Sequence, residues 1–177
     1  MSIPEEDIVG HLNWLLEQAD PGDVMHHLVV VAAGGLGPLG IPDAENLAAS
    51  VHAIAPVGKG DVRQFIARTI VGVGVEYAAK GRPIMFAALS QEVLIVEGMD
   101  AEADRLLAEG RLDEHPDVRE VTLVYGACRD GRRWRSQRWL TGPKVGQTED
   151  VELLVGRLDP QEVGGVAGLV RRLVGLR

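Results

Sequence analysis

Residues 129–139 read Arg-Asp-Gly-Arg-Arg-Trp-Arg-Ser-Gln-Arg-Trp, so five arginines and two of the chain's three tryptophans fall within eleven residues. Arginine forks donate paired hydrogen bonds to phosphate or carboxylate oxygens, and tryptophan faces stack on bases or on guanidinium groups. Arg132, Arg133, Arg135, Arg138 and Trp139 are therefore the candidate binding residues, suited to a single-stranded nucleic acid or an acidic protein surface. The competing account is internal. Trp134 packs inward, and the arginines neutralise acid-rich helices of the same chain or of a second subunit.

Two further groups could support catalysis. Glu92 lies between Ala87-Ala88-Leu89 and Val93-Leu94-Ile95-Val96. A carboxylate in so apolar a setting needs a hydrogen-bonding or cationic partner, or its pKa rises. His115, ahead of Pro116-Asp117, could serve it, as could Arg119 or an arginine of the 129–139 segment. Glu92 and His115 would then form a hydrolase-like acid/base pair, whereas the plainer reading is a structural ion pair and a strand-entry turn. Cys128 has no histidine near it in sequence, so nothing supports a nucleophilic role. His11, His26, His27 and His52 show no metal-binding spacing, and no metal site is expected.

Gly35-Leu36-Gly37-Pro38-Leu39-Gly40 satisfies the G-x-G-x-x-G pattern. A dinucleotide site needs a helix that begins within those glycines, so that its amides meet the pyrophosphate; Pro38 and Pro42 delay any helix to about residue 44. The segment reads as a Gly/Pro loop, and no cofactor is expected.

The chain that must position these residues has 177 of them, with 46% hydrophobic and a formal charge of -8. That suits a single domain over 1–177 with a sizeable core and argues against disorder. The acidic opening does not resemble a secretory signal, and Val24–Pro42 carries too many His, Gly and Pro to span a membrane. With one cysteine there is no internal disulfide, and the expected compartment is the cytoplasm. Charge is segregated. Residues 1–60 carry 8 acids and 1 base, 61–128 carry 12 and 7, and 129–177 carry 6 and 10. Such polarity favours head-to-tail association or an acidic partner at the C-terminal end, while the acidic whole disfavours non-specific nucleic-acid binding.

Patterning predicts an α+β fold, an antiparallel-rich sheet covered by helices. Ser2 and Glu5 fit a capping box for a first helix whose stripe is Ile8, Leu12, Leu15 and Leu16. Leu28–Ala33 reads as a buried strand, 44–55 as a helix capped by Asp43, and Pro56–Gly60 as a break. Asp61 and Gln64 restart a helix with the stripe Val62, Ile66, Ile70, Val73 and Tyr77, although Thr69–Tyr77 also alternates like a strand. Ile84–Glu97 is β structure, one bent strand or two. A helix over 101–109 lies between Asp100 and Gly110. Val118–Cys128 and Arg132–Thr141 flank Asp130-Gly131 and predict a β-hairpin over about 118–141. With those two residues as the loop, Ala127 faces Trp134, Tyr125 faces Ser136, Leu123 faces Arg138 and Val121 faces Leu140, and the other face displays Arg133, Arg135 and Trp139. A strand over 151–155 and a helix opened by Asp159-Pro160-Gln161-Glu162, with the stripe Val163, Val166, Val170 and Leu173, complete the chain.

The stretch Pro83–Val96, the run Glu114-His115-Pro116-Asp117-Val118-Arg119-Glu120-Val121 and Asp130-Gly131-Arg132-Arg133-Trp134 resemble small uncharacterised proteins of actinobacteria and their phages or plasmids. The resemblance covers about half the chain and implies a setting, with no site residues. The first helix, strand and following helix also look like a roadblock-type interaction domain, from whose size and plan the C-terminal hairpin region departs. The expectation is a non-enzymatic macromolecular binding protein that self-associates. Nucleic-acid binding through the arginine hairpin and a hydrolase using Glu92 and His115 are the alternatives.

Overall fold

The computed structural model describes residues 2–20, 25–34, 39, 41, 45–55, 61–98 and 100–176. In chain order it forms α1 (Glu5–Glu17), β1 (His26–Ala32), β2 (Ala48–Ile54), α2 (Val62–Ala79), β3 (Ile84–Val96), α3 (Ala101–Glu109), β4 (Val118–Cys128), β5 (Arg133–Trp139), β6 (Glu152–Leu154), α4 (Pro160–Val163) and α5 (Gly165–Leu173). The strands make one sheet in the order β2-β1-β3-β4-β5-β6, antiparallel throughout. The fold is α+β.

Because side chains alternate across a strand, the sheet has two apolar faces. Val29, Val31, Phe86, Ala88, Val124, Cys128 and Trp134 meet Ile8, Leu12, Leu15 and Leu16 of α1. On the opposite face Leu28, Val30, Ala87, Leu89 and Ala127 meet Ile66, Ile70, Val73 and Tyr77 of α2 and Val170 of α5. Both predicted helical stripes are therefore buried, except that Val62 is 38% exposed. Gly126 is the close-approach point: a Cβ there would stand 3.0 Å from both Leu12 and Phe86.

Four expectations need correction. The 44–55 helix is not formed, since its described residues 48–54 are strand β2. Ala48-Ala49-Ser50-Val51-His52-Ala53-Ile54 favours a helix through its alanines, yet β1 would otherwise have an unpaired side, and β2 satisfies it along seven residue pairs. Asp43 and the 56–60 break, like most of the glycine loop, lie outside the described residues. The capping box at α1 is not made either: Pro4 is the N-cap, and Ser2 bonds Asp130 and Arg132 instead.

The third correction is the hairpin register. β4 and β5 pair as predicted, but Val121 faces Trp139, Leu123 faces Gln137, Tyr125 faces Arg135 and Ala127 faces Arg133. Among the described residues only glycines have positive φ, so Asp130 cannot take the first half of a two-residue turn. The loop takes three residues, with Gly131 at φ +97 and Cys128 N–H bonded to Arg132 O at 2.8 Å. A shift of one residue moves every side chain of β5 to the opposite face.

Elsewhere the expected segments are present. Ile84–Val96 is one strand, α2 runs through Thr69–Tyr77 as a helix, and α3 has its N-cap at Asp100 and a left-handed Gly110 at φ 71. The fourth correction is that the final helix is interrupted. Gly164 and Gly165, the latter at φ +57, separate α4 from α5 and leave Val163 56% exposed. Gly126→Val is expected to lower stability by about 1–3 kcal/mol through overpacking against Leu12 and Phe86, read as a lower urea midpoint without a change of slope.

Candidate functional site

The arginine hairpin is real, and most of its side chains are engaged within the chain. Arg132 pairs with Asp130 at 2.8 Å and also donates to Ser2 Oγ and Ile3 O. Arg138 donates to Leu16 O at 3.1 Å, satisfying one of the carbonyls that the end of α1 leaves unpaired. Residues 3–16 of a helix and residues 132–138 of a strand both span about 20 Å, so β5 holds α1 at its two ends.

Arg133 points to the opposite face. Its Nη1 donates to both carboxylate oxygens of Glu162, at 2.9 and 3.0 Å, and Nη2 donates to Gly156 O at 3.1 Å. Both side chains are buried, at 7% and 9% exposure. Tyr125 donates its hydroxyl to the same carboxylate at 3.0 Å; burial, then Glu162, push the phenol's pKa up. Glu162 also accepts from Asp159 N–H at 2.9 Å, which is the cap that its place in Asp-Pro-Gln-Glu predicts.

Arg135 is exposed and paired with Glu152 at 2.7 Å. Trp139, expected on a displayed face, is 4% exposed, with Lys144 Nζ 4.7 Å from its ring centroid. Trp134 does pack inward, edge-on to Phe86. The five candidate residues thus share one hairpin but form no common surface.

Glu92 and His115 are not brought together. Glu92 pairs with Thr122 on the α1 face, whereas His115 precedes the Val96–Val118 pair, at least four residues, or about 13 Å, along the ribbon. His115 is buried; its Nδ1 accepts from Asp117 N–H at 3.1 Å and its Nε2 stands 3.5 Å from Asp100 Oδ1. Those contacts fix the entrance to β4. Cys128 is buried, and burial followed by the nearby Asp130 pushes its thiol up to about 12. Among the described residues no group of three or more His, Cys, Asp or Glu could hold a metal ion, and no helix is long and apolar enough to cross a membrane.

The surface that sequence reasoning missed lies around β2. Ser50 Oγ reaches Tyr77 Oη at 2.6 Å and His52 Nε2 at 3.2 Å, tying the strand to α2 on its inner face. On the α1 face Ala49, Val51 and Ala53 are exposed, and no described strand pairs with the outer edge. Beside it, Ile3, Glu6, Asp7, Gly10 and His11 of the α1 segment face Val31, Leu47 and Ala49 across a cleft of about 340 Å³. Burial outweighs the Asp7 charge and lowers the His11 pKa. The only sequence signal for this surface was the alternation Ala49, Val51, Ala53, which the helix reading of 44–55 concealed.

Comparison with protein-family models, curated proteins and solved structures finds no match, so function is read from the geometry alone.

Removing one partner of the buried pair, as in Glu162→Ala, is expected to cost about 3–5 kcal/mol, whereas Arg133→Met with Glu162→Leu restores most of that loss; chemical denaturation measures both. Cys128 should react with a disulfide probe at pH 8 only as fast as the protein unfolds, because the thiol is protonated and covered. Stoichiometric labelling of the folded protein within the mixing time would contradict that.

Proposed function

We propose that this protein is a non-enzymatic interaction module that self-associates through the outer edge of β2. The observation that carries the reading is the contrast between the two edges of the sheet. β6 is three residues long, and its Glu152 is paired with Arg135. β2 is seven residues long, contains no Asp, Glu, Lys or Arg, and exposes Val51 to 50% at its centre. Short or charged edges resist pairing; a long neutral one invites it.

A second copy is the occupant that fits. An antiparallel strand pairs with itself about a two-fold axis, which makes the contact isologous and closed. Each chain carries a net charge of -8, and the uncharged strand is a place where two copies can meet without placing like charges in contact. Val51 would lie at the axis. A lone buried cysteine suits a reducing compartment, and the cytoplasm is the setting taken here.

Neither alternative has comparable support. Four of the five hairpin guanidiniums, those of Arg132, Arg133, Arg135 and Arg138, are taken up by Asp130, Glu162, Glu152 and the Leu16 carbonyl, and Glu92 and His115 stand apart.

Light scattering should give a mass twice 19.0 kDa, and Val51→Lys should give the monomer with unchanged circular dichroism. A wild-type chain that stays monomeric at every concentration and salt strength tested would remove the self-association.

A further inference from the structure

Two helices, α2 and α5, cover one face of the sheet, while α1 alone covers most of the other. α1 packs over β1, β3, β4 and β5 and buries Val29 and Val31, so on this face β2, with Ala49, Val51 and Ala53 exposed, has no helix on it among the described residues. The cleft of about 340 Å³ between α1 and β2 and the open edge beyond it leave room for a helix, about 10–12 Å across with its side chains, to lie alongside α1.

The residues around this cleft specify more than its size. Its floor is apolar and shallow, with Val31, Leu47, Ala49, Val51 and Ala53. On the wall, Gly10 has nothing within 4 Å of where a Cβ would stand, leaving a notch against which another backbone can rest. Trp14, 36% exposed, closes the far end over His27. Glu6 and Asp7 form the rim, and both are exposed. Neither is in an ion pair with an arginine or lysine among the described residues, and both stand at the open side of the cleft.

We propose that this groove holds an amphipathic helix of a partner protein, apolar on its buried face and carrying Lys or Arg where it passes Glu6 and Asp7. An apolar helix face in such a groove gives affinity, and the rim charges select the partner's sign. The inference names a partner for the interaction module proposed above and so rests on that reading. The groove shares the Val51 face of β2 with the self-association contact but adds the α1 wall and its acidic rim, whereas self-association uses the backbone edge of β2, so helix binding and molecular mass read the two separately.

The test is fluorescence anisotropy on the full chain with two labelled model helices of equal length, one built of Leu and Lys, the other of Leu and Glu. The Leu/Lys helix should bind saturably with one helix per chain, and the Leu/Glu helix about tenfold or more weaker. Gly10→Arg, which fills the notch with a cation, and Glu6→Lys with Asp7→Lys should each weaken the Leu/Lys helix about tenfold or more. Asp104→Lys, on α3 away from the groove, should leave it unchanged. Equal binding of both helices, absence of saturable binding, or equal losses in the groove and Asp104 variants would overturn the proposal. Light scattering on the same samples keeps the readings apart: a monomer that still binds the Leu/Lys helix supports the groove and removes the dimer, and a dimer that binds neither helix does the reverse.

Discussion

A guanidinium buried against a carboxylate dictates how the C-terminal third of this protein is assembled. Arg133 and Glu162 are both out of water, and each would be costly there alone. Satisfying the pair requires β5 at its observed register, because one residue of slip would point Arg133 at α1. It also requires α4 to begin where Asp159 can cap and be capped, and the 154–156 turn to offer its carbonyls. Tyr125, on β4, then donates its hydroxyl to Glu162. The neighbouring arginines extend the same logic to the other face, where Arg132 and Arg138 hold the two ends of α1. A cluster that reads as a ligand surface is, in large part, the means by which the sheet keeps its helices in place.

That placement has a consequence for function. With α1 held against β5 and packed on β4 and β3, it cannot also cover β2. The sheet is therefore closed at its β6 end by charge and shortness and open at its β2 end by neutrality and length. The same displacement that serves the core leaves an edge that no described strand pairs with and an apolar strand face beside an acidic rim. Both features lie at the β2 end of the sheet, and the interaction role proposed for this chain rests on them.

The register of the hairpin and the state of 48–54 show where local reasoning ends. Asp130-Gly131 marks the turn, but whether the loop holds two residues or three depends on whether Asp130 takes positive φ, and that is settled by which arginine has a carboxylate to meet across the sheet. The alanines around Val51 favour a helix in isolation. They become a strand because β1 presents an unpaired edge that a helix could not satisfy.

The sequence by itself determined the α+β class, the stripe of α1, the hairpin and the capped start of α4, because periodicity, capping and turn chemistry act over a few residues; it left open whether Thr69–Tyr77 was helix or strand and whether Ile84–Glu97 was one strand or two. Only the tertiary structure decided the strand order, the face on which each arginine lies, the separation of Glu92 from His115 and the exposure of β2. These depend on partners far apart in the chain: Arg133 and Glu162 are 29 residues apart, and Arg138 and Leu16 are 122. No local pattern encodes which buried charge will meet which.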